Sequence, residues 1–87
     1  MPRTTLDIAA GVNGFLVANY LFDRPGFVLA DDDSLLAHQV LDSLGVLNLI
    51  TFLEQTYGIA VLENDVTPEN LDSKKRIAEF VARKLAA

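Results

Sequence analysis

Apolar residues three and four positions apart recur in three separate stretches of the chain, and that periodicity constrains the fold more than any other feature. From Thr5 to about Phe22, the residues Ile8, Val12, Phe15, Leu16, Asn19 and Phe22 fall on one side of a helix. From Ser43 or Leu44 to about Tyr57, Leu49, Leu53 and Tyr57 stand at i, i+4 and i+8 and are expected to face a core. From Asp72 or Ser73 to about Leu85, a third stripe is formed by Ile77, Phe80, Val81 and Leu85. No segment offers a credible partner for strand pairing. At 87 residues the chain supports one small core, so the expectation is a single all-α domain over residues 1–87. Its fold would be a small four-helix bundle of three long helices and one short one.

The breaks between the stripes are as informative as the stripes. Gly11 and Gly14 weaken the first helix by roughly 1 kcal/mol each relative to alanine, so packing must support it. DRPG at 23–26 stops it, because proline cannot continue a helix and glycine relaxes the turn. Residues 27–42, FVLADDDSLLAHQVLD, read as a long loop pinned by Phe27, Val28, Leu35, Leu36, Val40 and Leu41, with Asp31, Asp32 and Asp33 in water. Loops of this length are uncommon in compact domains and often functional. Gly58 suits a left-handed helix end, and Ile59 and Val61 are expected to anchor the connection that follows. Thr67-Pro68-Glu69 reads as a cap, a first-turn proline and a first-turn acid, opening a short helix that ends near Leu71. Asp72 or Ser73 caps the last helix, and Arg83 and Lys84 complement its dipole.

Composition excludes several kinds of chemistry. There is no cysteine, so disulfides, thiol catalysis and thiolate metal sites are closed to the chain itself. The start, MPRTTLDIAA, lacks the basic-then-apolar pattern of a secretory signal, and no apolar run approaches the roughly 18 residues of a membrane span. A cytoplasmic protein is expected. Residues 1–72 hold eleven of the twelve acids against Arg3 and Arg24, a net −9, while residues 73–87 carry a net +4. That balance argues against nucleic acid as a partner. It fits a partner with a basic surface, or simply the solubility of a small protein.

The aspartate run does not make a calcium loop, since Leu36 stands where the required glycine should be. His38 is the only histidine and reads as a half-exposed loop residue. No phosphate-binding loop is present, because Gly11 and Gly14 lie inside a helix and no Gly-Lys-Ser/Thr follows. Without a convergent nucleophile, base and orienting group, the chain is not expected to be an enzyme.

The segment VLDSLGVLNLI at 40–50 places Asp42-Ser43 directly before the second helix. As a cap, Asp42 would accept N–H bonds from the first turn, worth about 1 kcal/mol. A chemically modified serine is the second reading, and the two are compatible. With Asp42 as the cap, Ser43 is the first helical residue, and a phosphate ester on its oxygen would be stabilised by the positive end of the helix dipole.

Several segments together carry a resemblance: DDSLL at 32–36, DSL at 42–44, LNLITFLEQTYGI at 47–59, TPENLDS at 67–73 and the final amphipathic helix. From about Thr5 to Leu85 the chain resembles the acyl carrier protein family, whose members include peptidyl and aminoacyl carriers. The resemblance implies a bundle of acyl-carrier type with Ser43 as the attachment site of 4′-phosphopantetheine, added by a phosphopantetheinyl transferase from coenzyme A with magnesium. The arm's thiol would hold a cargo as a thioester, which suits a chain without cysteine. Asp42 matches the aspartate before the modified serine and would support the helix start and the transferase reaction. Leu44 matches the following hydrophobe, with Val46, Asn48 and Thr51 as further outward docking positions.

Two features depart from many relatives: Leu47 and Asn48 stand where an acid is common, and AHQ at 37–39 replaces a Glu- and Gly-bearing segment. DSLG and TPENLDS look more like discrete carriers served by a dedicated adenylate-forming ligase in specialised metabolism. The reading is therefore a free-standing, monomeric, non-catalytic carrier that delivers an acyl or aminoacyl group to downstream acyl-processing enzymes. The alternative is a helical protein-interaction module with no prosthetic group.

Overall fold

The computed structural model describes residues 4–24 and 26–86; Met1–Arg3, Pro25 of the DRPG stop and Ala87 lie outside the described residues. The chain forms α1 (Thr5–Leu16), a π-helical turn (Val17–Leu21), α2 (Ser43–Tyr57), a 3-10 turn (Glu63–Asp65), α3 (Pro68–Leu71) and α4 (Lys74–Ala86). Regular structure among the described residues is all helical, and its three long helices and one short helix make the expected small bundle.

The start of α1 is a capping box: Thr4 Oγ1 accepts from Asp7 N–H, and the Asp7 carboxylate accepts from Thr4 N–H. Ile8, Val12 and Leu16 are fully buried at four-residue spacing. The turn then widens to π geometry, and the next buried residue is Leu21, five positions on. The stripe expected to continue through Asn19 and Phe22 therefore leaves the core: Asn19 is exposed and donates to the Phe15 carbonyl at 2.8 Å, and Phe22 is 71% exposed. A 3.6-residue projection cannot follow a wider turn.

α2 buries Leu49 and Leu53 completely, and half-buried Tyr57 donates its hydroxyl to the Ile8 carbonyl at 3.3 Å. Gly58 ends the helix at φ +68°, the left-handed conformation that glycine adopts without steric cost.

Of the expected loop pins, Leu35, Val40 and Leu41 are buried and Phe27 is partly buried, whereas Val28 and Leu36 are exposed. In this stretch without regular structure Leu29 turns in and Val28 turns out. Residues 35–39 instead form a turn, in which adjacent side chains diverge and only Leu35 reaches the core.

Ile59 and Val61 pack against the core as expected. Thr67 stands before α3 with Pro68 at its first turn, but the threonine side chain makes no capping bond, which corrects that expectation. Ser73 caps α4 through Oγ, which accepts from Arg76 N–H at 3.1 Å. Ile77, Ala78, Phe80 and Val81 are buried, while Leu85, near the helix end, is 42% exposed and falls off the expected stripe. Lys74 is also buried: its Nζ donates to the Leu29 carbonyl at 2.6 Å and to Asn13 Oδ1 at 3.0 Å, tying α4 to the loop and α1. No helix among the described residues is long and apolar enough to cross a membrane.

Lys84 reaches back to Asp65, with Nζ–Oδ2 at 2.6 Å. That hydrogen bond first, and then the Leu62 N–H, hold the Asp65 carboxyl below its ordinary range. A depressed folded-state value contributes stability above the unfolded value and loses it as pH falls through the folded one. The melting temperature should therefore drop on acidification below about pH 4, and Asp65→Asn should shrink that drop. An acid profile identical in the variant would remove Asp65 from the account.

Candidate functional site

Asp42 caps α2 from an extended backbone: Oδ1 accepts from Gly45 N–H at 2.8 Å, and its carbonyl accepts from Val46 N–H at 2.9 Å. Ser43 is the first residue of the helix, is exposed, and makes no hydrogen bond through its hydroxyl among the described residues. The capping bond of α2 thus leaves the Ser43 hydroxyl out of the cap. Gly45 lets neighbours close over this first turn, because a Cβ there would lie 3.1 Å from Leu41 Cδ2 and 3.4 Å from Tyr20 Cε1. Tyr20 comes from the π-helical turn, and its hydroxyl accepts from Asn48 Nδ2 at 2.9 Å. Asp42→Ala should lower stability by about 0.5–2 kcal/mol, and Asp42→Asn, which keeps an acceptor, should recover most of it. Thermal melting of the three proteins checks this, since about 1 kcal/mol moves Tm by roughly 4–8 °C in a domain of this size. Equal losses in both variants would mean that the charge, not the cap, is what matters.

The segment leading to Ser43 is held from two sides. Ser34 Oγ accepts from Ala37 N–H at 3.0 Å, and Asp72 accepts from both the Ser34 hydroxyl at 2.6 Å and Leu36 N–H at 3.0 Å. Asp72, one of two candidate caps for α4, braces this turn instead. At the other end Gln39 has φ +55°, with its N–H donating to the Leu36 carbonyl and Val40 N–H donating to the Leu35 carbonyl. The Arg24 guanidinium donates to the carbonyls of His38 at 2.9 Å and Gln39 at 3.0 Å. Nothing in the local pattern around Arg24 signals that contact.

The expected docking positions divide. Leu44 is 65% exposed. Val46 is only partly exposed and lines an apolar cavity of about 200 Å³ with Leu35, Leu41, Val66, Pro68 and Leu71. Asn48 is exposed but tied to Tyr20, and Thr51 is exposed with its hydroxyl donating to the Leu47 carbonyl. Leu47, absent from the expected set, is 61% exposed and lies three residues from Leu44 on the same helical face, a spacing that could have flagged it. Exposed Leu36 borders that cavity and a second recess formed with Tyr20, Gln39 and Asp42.

The acidic loop is partly neutralised within the chain. Asp31 lies 3.7 Å from Lys74 and Asp32 lies 3.9 Å from Lys75. Among the described residues, no three His, Asp or Glu side chains come together to hold a metal ion.

The chain is similar to a D-alanyl carrier protein from Abiotrophia defectiva, 33% identical over 48 residues. The match covers 55% of this chain and 61% of that protein, so the chain spans about three-fifths of the relative's length. No family model and no solved structure matches. The likeness supports a carrier-protein family of the acyl-carrier type. The site fits the prosthetic group of such carriers in its chemistry: an exposed, unbonded primary hydroxyl at a helix N-terminus suits a phosphate ester.

Proposed function

We propose that the chain is a monomeric carrier domain that bears 4′-phosphopantetheine on Ser43 and is not itself an enzyme. The observation that carries this reading is the division of labour at the start of α2: Asp42 does the capping, which leaves the Ser43 hydroxyl exposed and free. When bound, the arm supplies a terminal thiol that holds an acyl or aminoacyl cargo as a thioester, chemistry unavailable to a chain without cysteine. Ser43 supplies the ester oxygen, and the helix N-terminus opposes the phosphate charge. Asp42 fixes that oxygen's place by fixing the first turn. Leu44 and Leu47 offer the exposed apolar contact for a phosphopantetheinyl transferase, for a dedicated adenylate-forming ligase and for downstream enzymes.

A relative named for a D-alanyl group favours an aminoacyl cargo. Specialised metabolism in the cytoplasm is the setting that this reading implies. The test is intact mass of the wild-type chain after incubation with coenzyme A, magnesium and a broad-specificity transferase. A gain of one phosphopantetheine supports the carrier. No gain with the helices intact by circular dichroism would leave the protein-interaction module in its place.

A further inference from the structure

We propose that Arg24 is a positioning residue for the modification of Ser43, acting through the strained turn at Gln39. This inference rests on the carrier reading above.

Residues 35–40 make the hydrogen bonds of a helix end with a left-handed residue just past it. Val40 N–H donates five residues back to the Leu35 carbonyl at 2.9 Å, and Gln39 N–H donates three back to the Leu36 carbonyl at 3.1 Å. Leu35 and Val40, the pair whose apolar contact usually accompanies this motif, are both buried. The left-handed position normally belongs to glycine, yet here it holds Gln39 at φ +55°, the one non-glycine residue with positive φ among the described residues.

Something must hold a glutamine there, and the geometry points to Arg24. Its guanidinium donates through two different nitrogens to the carbonyls on either side of the strained φ, His38 at 2.9 Å and Gln39 at 3.0 Å. The same guanidinium sits 5.6 Å above the Phe27 ring, and Phe27 in turn packs edge-on against the His38 ring at 5.7 Å. Only a planar fork serves two adjacent carbonyls and a ring face together; a lysine offers a single point charge. Three residues beyond Gln39, through buried Val40 and Leu41, the chain delivers the Asp42 cap and then Ser43. Releasing Gln39 therefore loosens the approach to the serine while leaving the α1, α2 and α4 core contacts in place.

Arg24→Ala should lower kcat/KM for arm attachment by about tenfold, the order set by the cost of a non-glycine residue in the left-handed region. The helical signal should persist. In the apo protein, the amide–Hα coupling of Gln39 should lose its left-handed value, and N–H exchange at Gln39 and Val40 should rise. Arg24→Lys should fall between wild type and alanine. Adding Gln39→Gly to Arg24→Ala should restore most of the lost rate, since glycine adopts the turn without a clamp. A direct contact between Arg24 and the transferase would not be rescued in that way, so a double variant as slow as Arg24→Ala overturns the proposal. So does an Arg24→Ala protein with wild-type rate or an unchanged Gln39 coupling. If the wild type itself gains no arm, the carrier reading falls, and the role of Arg24 falls with it. If only the variants behave like wild type, the carrier stands and Arg24 alone loses its role.

Discussion

Ser43→Ala should leave the bundle folded and abolish attachment of 4′-phosphopantetheine together with every later loading step. The two halves of that result have separate causes. The capping bond at the start of α2 belongs to Asp42 Oδ1, not to the serine, whose hydroxyl is exposed and has no bonding partner among the described residues. Ser43 is a helical residue, and alanine is the better helix former, so the substitution should change stability by no more than about 0.5 kcal/mol. The chemical loss is complete because the ester oxygen itself is removed. Intact mass after incubation with coenzyme A, magnesium and a transferase, alongside thermal melting, reads both halves. A structural serine predicts the reverse: a lower Tm and no difference in mass between the two proteins. A mutant that still gains the arm would move the attachment to another hydroxyl.

What the sequence made legible was what repeats along one helix or terminates it. Leu49 and Leu53 are buried, Gly58 is left-handed, Asp42 caps α2, and Pro68 opens the short helix, each as its local pattern dictates. The failures share a cause as well. Phe22 left its stripe because the helix widens at Val17–Leu21, which no apolar spacing announces. Val28 and Leu36 are exposed rather than pinned, and a loop has no period from which to tell inward from outward.

The polar contacts that shape the site were invisible for a different reason. Asp72 reaches residues 34 and 36, Lys74 reaches Asn13 across 61 positions, and Arg24 reaches 14 and 15 positions to the turn before Ser43. Local patterning read Asp72 as a possible helix cap and Lys74 as part of a basic tail. Tertiary structure gave both to the loop. The serine could be proposed from its neighbours, whereas the frame that holds it depends on residues distant in the chain.

Fold and docking should be separable along α2 itself. Leu53→Ala and Leu47→Ala remove the same atoms from one helix, six residues apart. Leu53 is fully buried, so its truncation leaves a cavity and should cost about 2–5 kcal/mol. Small domains have a total stability near 5 kcal/mol, and a chain of this size buries proportionally little surface, so this variant should be largely unfolded or melt far below wild type. Leu47 is 61% exposed, and its truncation should move stability by less than about 0.5 kcal/mol. If Leu44 and Leu47 form the apolar contact for partner enzymes, Leu47→Ala should keep the wild-type melting curve and still slow arm attachment. Melting and mass-gain rates on the two variants decide the matter. A slow but fully stable Leu47→Ala places a docking contact on this face of α2, while a wild-type rate would shift the contact to the rest of the exposed surface around Leu36 and Leu44.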